Sequence, residues 1–238
     1  MLSVSDYSSA IYKNLAYICA MLIEICSENI EIALKAQEKG ARRVELCNDL
    51  PIGGVTPSYD EIEQARRELS IDLNVLIRPR GGDFCYSAAE IAHILRDMEF
   101  CGSLRSDEGR AVDGVVIGAL ARDRSIERGA CSEMFAAARQ FGLSITFHRA
   151  IDRSRDIFKA LEMIIDLGAD RVLTSGGAES AFEGRETIAR MVKMSAGSDT
   201  LIMAGAGITP ENAQLIIEQT SVPEIHGSRL SLLDIIWF

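Results

Sequence analysis

The amino-acid sequence predicts one α/β domain that closes into a (β/α)8 TIM-like barrel. Eight short apolar segments alternate with amphipathic segments, which is the repeat that builds a parallel sheet covered by helices. The length of 238 residues, 47% of them hydrophobic, is enough to bury the core of one such domain. No GxGxxG pattern opens the first helix, so a doubly wound open sheet is the weaker alternative.

The predicted strands are separated by segments that carry helix start and stop signals. Capping pairs or an N1 proline mark helix starts at Ser58–Glu61, Ser87–Glu90 and Thr209–Pro210. Glycines stop helices just before strands, and GARRV at 40–44 is echoed by GADRV at 168–172, as in a barrel of two halves. The predicted strands span residues 22–26, 43–47, 73–78, 114–119, 144–149, 171–175, 201–205 and 224–228.

The two ends of the chain depart from this regular pattern. We expect residues 1–20 to be a leader outside the core, and residues 21–238 to form the single barrel domain. Only residues 229–238 follow the last strand, so the eighth helix is predicted to be incomplete. The apolar tail 232–238 either covers the exposed strand surface within the chain or forms a subunit contact.

Composition excludes several classes of function. The net charge of −10 disfavours a nucleic-acid groove, because an acidic surface repels phosphate. No run approaches the roughly 18 apolar residues of a membrane span. The six cysteines show no CxxC spacing and are too sparse for a disulfide scaffold, so we expect reduced thiols and a cytoplasmic protein.

Polar side chains occupy one face of several predicted strands. Strand side chains alternate with a period of two, so apolar residues such as Ile23 and Ile25 face the helices and their neighbours face the barrel interior. Buried charges must be paired or functional, and two interpretations stay open: a structural Glu–Arg network, or a ligand site at the carboxyl ends of the strands. The inward residues include Glu24, Cys26, Glu45, Cys47, Asn74, Leu76, Arg78, Thr146, His148, Glu224, His226 and Ser228.

The loops after the strands favour a small anionic ligand, such as a phosphate or a carboxylate. Glycine-rich turns at 53–54, 175–177 and 205–207 precede helices and offer backbone N–H groups to an anion. Arg78 and Arg80 follow strand three and are predicted to clamp that anion. As an enzyme, the barrel would use His148 as acid or base with Glu24 or Glu45 as the partner carboxylate. Further predicted binding residues are Asp83, Ser175, His226 and Ser228.

A metal site is the other candidate. Cys26 and Cys47 end adjacent strands on the inward face, with His148 and His226 in the same ring. Thiolate and imidazole ligands together suit Cu(I) or Zn(II). The alternative is that both cysteines are buried free thiols that act as small hydrophobic residues.

The same segments closely resemble the CutC family of copper homeostasis proteins. The resemblance implies a cytoplasmic TIM-like barrel, dimeric or larger, that binds Cu(I), with Cys26 and Cys47 at the positions of the proposed copper ligands. The chain departs from the family in its short tail and at Ile151, where the family prefers phenylalanine. The matching segments are EIC at 24–26, RVELC at 43–47, GGVTPSY at 53–59, IRPRGGDF at 77–84, GVV at 114–116, TFHRAID at 146–152, VLTSG at 172–176, IMAGAG at 202–207 and EIH at 224–226.

Overall fold

In the computed structural model, which describes residues 21–237, the strands form a closed parallel barrel. Each strand pairs with the next along the chain, and the first pairs with the eighth. The predicted TIM-like barrel is confirmed, while the predicted leader 1–20 lies outside the described residues. The strands are β1 (Leu22–Ser27), β2 (Arg43–Leu46), β3 (Asp72–Leu76), β4 (Gly114–Ile117), β5 (Ser144–Phe147), β6 (Arg171–Thr174), β7 (Leu201–Gly205) and β8 (Glu224–Gly227).

Helices cover the outside of the barrel. Within residues 21–237, an α-helix follows each of the first seven strands, and short 3₁₀ helices precede two of them and follow β8. The α-helices are α1 (Ile30–Glu38), α2 (Tyr59–Glu68), α3 (Ala88–Ser103), α4 (Arg128–Gln140), α5 (Ile157–Leu167), α6 (Arg185–Ser195) and α7 (Pro210–Thr220). The 3₁₀ helices are η1 (Leu50–Ile52), η2 (Arg149–Arg153) and η3 (Leu230–Trp237).

The predicted helix signals act where the sequence places them. Ser58 caps α2 and Ser87 caps α3, each in a reciprocal capping box with the glutamate three residues later. Gly168 ends α5 with a φ of 84°, in the left-handed region that glycine adopts without steric cost. These local signals fix where the helices begin and end relative to the barrel strands.

The barrel separates two apolar environments, as the alternation of side chains predicts. Ile23, Ile25 and Val44 belong to the large core between the strands and the helices. Cys26, Cys47, Leu76 and Val116 form a separate small cluster on the inner face, with Leu50 packed against it. The polar faces of the strands therefore converge inside the barrel.

Six strands end one or two residues before their predicted limits, and in two of them the early end changes the place of a predicted site residue. The predicted third strand extends to residue 78, but β3 ends at Leu76, and the Arg78 N–H bonds to Thr56 Oγ1 at 2.8 Å instead of to a neighbouring strand. The predicted fifth strand extends to residue 149, but β5 ends at Phe147, and η2 begins at Arg149. Arg78 and His148 consequently stand just beyond the carboxyl ends of the strands.

The C-terminal segment occupies the place of the eighth helix. The short η3 packs against β1, α1 and α7, which are the neighbours that a full helix would contact. Leu232 and Leu233 are buried, and Lys39 Nζ lies 2.7 Å from Asp234 Oδ1. Within the described residues, the eighth strand is followed by this 3₁₀ helix, and its buried Leu232 and Leu233 cover strand surface within the chain.

Candidate functional site

A cavity of about 400 Å³ lies at the carboxyl ends of the strands. We call it the barrel cavity. Its floor is made by inward side chains of β1 to β4, β6 and β8, and its rim by the loops that follow the strands. Barrel enzymes place their sites at this end. Its lining includes Cys26, Glu45, Cys47, Arg78, Phe84, His148, Arg149, His226, Ser228 and Arg229.

A network of buried ion pairs lies beneath the floor of the cavity. Arg43 donates to Glu24 Oε2 at 2.6 Å and to Glu224 Oε2 at 2.5 Å, and Arg171 donates to Glu224 at 2.9 Å. Asn74 Nδ2 also donates a hydrogen bond of 2.9 Å to Glu24 Oε2. This part of the interior fits the structural interpretation of the inward charges.

Glu24, predicted as a catalytic carboxylate, is held in this network and does not line the cavity. Burial favours its neutral form, but the charge of Arg43 and the hydrogen bond from His226 outweigh burial and lower the pKa of Glu24 to about 2. The ionised carboxylate accepts a hydrogen bond of 2.8 Å from His226 Nδ1. Glu24 therefore fixes the orientation of the His226 ring, which does line the cavity.

Cys26 and Cys47 lie side by side on the cavity floor, with their sulfur atoms 3.5 Å apart. Cys26 Sγ also donates to Glu45 Oε1 at 3.8 Å. A sulfur of Cys26, a carboxylate oxygen of Glu45 and an imidazole nitrogen of His226 all lie within 4.8 Å of one another. The structure thus brings together three groups that can ligate one metal ion, with the Cys47 sulfur beside that of Cys26.

The protonation of these groups follows from burial and from their mutual contacts. The hydrogen bond with Cys47, together with burial, raises the pKa of the Cys26 thiol well above its usual range. Burial raises the pKa of Glu45 to about 7, against the opposing effect of the His226 charge. Burial would lower the pKa of His226, but the charges of Glu45 and Glu24 raise it. One oxygen of Glu45, Oε2, is buried and has no hydrogen-bond partner within residues 21–237.

Arg78 is buried at the cavity wall and is held by backbone carbonyls. Its guanidinium donates to the carbonyls of Ile52, Gly54 and Gly82 at 3.3, 2.9 and 2.9 Å, and it lies 4.7 Å above the centre of the Phe84 ring. No carboxylate within residues 21–237 forms an ion pair with Arg78, and its Nε has no partner there. The cavity wall therefore carries a fixed positive charge that no described carboxylate neutralises.

His148 lies beside Arg78 and also lines the cavity. Burial and the charge of Arg78 lower the pKa of His148 to about 3, so the ring is neutral at pH 7. Its Nδ1 accepts a hydrogen bond of 3.3 Å from the Ala150 N–H, which places the ring proton on Nε2. Nε2 is buried and has no partner among the described residues. It is an unused hydrogen-bond donor at the cavity.

The structure does not place three of the predicted binding residues at the barrel cavity. Arg80 donates to Glu90 of α3 at 2.5 Å and pairs with Asp83 of its own loop at 3.0 Å, so two carboxylates outside the cavity lining neutralise its charge. Ser175 Oγ donates to the Ala178 carbonyl at 2.7 Å and contacts Asp152. Arg80, Asp83 and Ser175 are all absent from the cavity lining, whereas the predicted Ser228 belongs to it.

Some residues of the site were not found from the sequence. Arg43 and Arg171 hold the same position in the two echoed segments, and both bond to Glu224. Strand alternation places Arg43 on the face of Glu45, so the repeat and the alternation together could have identified this pair. Arg149 and Arg229 follow β5 and β8 and line the cavity. No pattern in the sequence, apart from the motifs that contain them, marks these two residues as part of the site.

Comparisons with known proteins identify the family of the chain. The model of the CutC family matches residues 21–231. The chain belongs to the CutC family. CutC proteins of Parabacteroides distasonis and Pasteurella multocida are each 44% identical to it, over 89% of this chain and 84% of theirs. A solved CutC structure from Streptococcus agalactiae, named for copper homeostasis, has a TM-score of 0.79 at 33% identity and covers 88% of this chain and 99% of that one.

More distant solved structures share the barrel. The deoxyribose phosphate aldolase of Aeropyrum pernix has a TM-score of 0.63 at 17% identity, covering 93% of this chain and 91% of its own. At this identity the likeness shows the fold alone. Within residues 21–237, no helix combines the length and the apolar character that crossing a membrane requires.

Proposed function

We propose that this CutC-family protein binds Cu(I) on the floor of the barrel cavity and serves copper homeostasis in the cytoplasm. The observation that carries the proposal is the pair of thiols of Cys26 and Cys47, 3.5 Å apart on the cavity floor. Metal–thiolate bonds are about 2.3 Å long, so one ion can bridge two sulfurs at this separation. Soft thiolate donors select Cu(I) over hard cations.

His226 is prepared to act as a third ligand. Metal-binding histidines commonly donate their second ring N–H to a carboxylate, which fixes the ring and raises its basicity. His226 Nδ1 makes this contact with Glu24 at 2.8 Å, so Nε2 is the nitrogen left for a metal. Arg43 in turn holds Glu24, and the ion-pair network becomes the outer support of the copper site.

Competition with a chromogenic Cu(I) chelator under anaerobic conditions tests the proposal. The Cys26→Ser/Cys47→Ser variant should lose Cu(I) affinity by about a hundredfold or more, equivalent to about 2.7 kcal/mol. The matched control is Cys85→Ser/Cys101→Ala, which removes two thiols that do not line the cavity. Circular dichroism verifies that both variants are folded. Equal affinities of the wild type and the Cys26/Cys47 variant would overturn the proposal.

A second candidate function rests on a different observation, the uncompensated charge of Arg78. A buried guanidinium without a counterion, next to the unused N–H of His148 Nε2, is arranged to hold a small anionic molecule. In this alternative the barrel is an enzyme for a phosphate- or carboxylate-bearing metabolite. The neutral His148 acts there as a hydrogen-bond donor, and Glu45 is the carboxyl group that faces the ligand.

Titration with inorganic phosphate tests this candidate. Arg78→Met should weaken phosphate binding by about tenfold or more, because the fixed guanidinium is lost. Arg80→Met is the matched control, since Arg80 belongs to the same loop but lies outside the cavity lining. A folded Arg78→Met protein with the phosphate affinity of the wild type would refute the anion site.

A further inference from the structure

A second cavity of about 620 Å³ adjoins the barrel cavity at the carboxyl end of the barrel. It is formed by the loops that follow β3 and β4 and by the end of η2. Three arginines, Arg122, Arg124 and Arg153, line it together with one carboxylate, that of Asp83. We call it the arginine groove. A local excess of positive charge is unexpected on a chain whose net charge is −10.

The charges of these arginines are not neutralised by their neighbours within the described part of the chain. Asp83 is engaged by Arg80 at 3.0 Å, and Asp123 is engaged by Arg155 at 2.5 Å. No ion pair within residues 21–237 includes any of the three arginines of the groove. Their guanidinium groups are available to an anion from solution.

The turn that carries two of these arginines is held in a defined conformation. Arg124 has a φ of 63°, in the left-handed region that side-chain-bearing residues rarely adopt. Its N–H donates to the Ala121 carbonyl at 2.8 Å, and its carbonyl accepts from the Arg155 N–H at 3.0 Å. Arg122 and Arg124 are thereby presented from a hydrogen-bonded turn that is fixed at both sides.

Phe84 connects the two cavities. Its side chain lines both the barrel cavity and the arginine groove. The ring lies 4.7 Å from the Arg78 guanidinium and 4.9 Å from the centre of the His148 ring. The two cationic surfaces thus share one apolar wall.

We propose that the arginine groove binds the second anionic group of an elongated ligand, such as a bisphosphate or a phosphorylated carboxylic acid, whose first anionic group lies at Arg78 and His148. This inference rests on the second candidate function and narrows its substrate class to molecules with two separated anionic groups. Multiple arginines around one phosphate supply charge-assisted, bidentate hydrogen bonds that one exposed arginine does not.

Titration calorimetry with alkanediol bisphosphates of increasing length, against alkyl monophosphates of equal length, tests the proposal. The best bisphosphate should bind at least about tenfold more tightly than its monophosphate. The variant Arg122→Gln/Arg124→Gln/Arg153→Gln should bind that bisphosphate no more tightly than the monophosphate. A control with the same change in net charge replaces Arg67, Arg128 and Arg190, exposed on α2, α4 and α6, with glutamine and should retain the full difference.

The outcomes separate the groove from the cavity. If monophosphate binds in an Arg78-dependent way and the second phosphate adds nothing, the groove proposal fails and the cavity proposal stands. If bisphosphate binding depends on the groove arginines but not on Arg78, the spanning ligand is refuted and the cavity proposal fails. If the groove variant and the charge-matched control lose bisphosphate affinity equally, the effect is one of net charge, and the groove proposal is overturned. If neither bisphosphate nor monophosphate binds, both the groove proposal and the cavity proposal are overturned.

Discussion

Replacing Arg43 with methionine removes the cation that two buried carboxylates share. The Arg43 side chain is 2% exposed, and it contacts Glu24 at 2.6 Å and Glu224 at 2.5 Å. Methionine keeps much of the volume but carries no charge, so both carboxylates lose their main partner. The change therefore tests whether the inward charges of the barrel stabilise the fold as a network.

The expected cost follows from the partners that remain. Breaking a buried ion pair by removing one side costs about 3–5 kcal/mol. We do not double this value, because Glu24 keeps Asn74 and His226, and Glu224 keeps Arg171. We expect Arg43→Met to lower the free energy of unfolding by about 3–5 kcal/mol, a large part of the roughly 5–15 kcal/mol of a typical domain.

Urea unfolding at pH 7, followed by far-ultraviolet circular dichroism, measures this loss. Arg171→Met is the matched control and should cost about 1–2 kcal/mol, because the Arg171 side chain is 19% exposed and Glu224 retains Arg43. Adding Glu24→Gln to Arg43→Met should recover part of the stability, since it removes the uncompensated charge. A loss below about 1 kcal/mol, or one no larger than that of Arg171→Met, would refute the account of the network.

Two further predictions concern the cavity wall and the tail. The pKa of His148 falls from 6.5 to about 3 on folding. Between these two pH values the unfolded chain binds a proton on His148 that the folded chain does not, so the free energy of unfolding decreases as the pH falls from 6.5 toward 3. When the pH is lowered from 7.5 to 5.5, the free energy of unfolding of the wild type in urea should therefore decrease by about 1.4 kcal/mol more than that of His148→Gln. Equal decreases in the two proteins would contradict the buried neutral ring. Leu232→Ala, in the fully buried part of η3, should cost about 2–5 kcal/mol in thermal or urea unfolding. Leu215→Ala, at a position 39% exposed on α7, should cost less than about 1 kcal/mol, and equal effects would show that η3 does not complete the barrel.

The fold was accessible from the sequence because its signals are local. The period of two separates Ile23 and Ile25 from Glu24 and Cys26 within one strand, and the structure places the two sets in different environments. Capping residues mark helix starts within four residues of chain. The ends of the strands were harder to predict, because the hydropathy pattern does not show that the Arg78 N–H donates to Thr56 Oγ1.

The site could be predicted only in part from the sequence, because residues distant in sequence determine which charged side chains form ion pairs and which do not. Arg78 and Arg80 are two residues apart in one loop. Arg80 forms an ion pair with Glu90 of the α3 capping box, whereas Arg78 lines the cavity. Arg43 meets Glu224 across 181 residues of sequence, a contact that only barrel closure creates. The pairing of Cys26 with Cys47 was easier to foresee, since both end adjacent strands on the same face.

X-ray absorption spectroscopy at the copper edge of the Cu(I)-loaded protein shows directly whether Cys26 and Cys47 bind the metal. We expect sulfur ligands from these two residues, with a nitrogen contribution that His226→Ala removes. The sulfur signal should disappear in Cys26→Ser/Cys47→Ser and persist in Cys85→Ser/Cys101→Ala. A wild-type spectrum with nitrogen and oxygen ligands alone, or a sulfur signal unchanged in Cys26→Ser/Cys47→Ser, would contradict the proposed copper site.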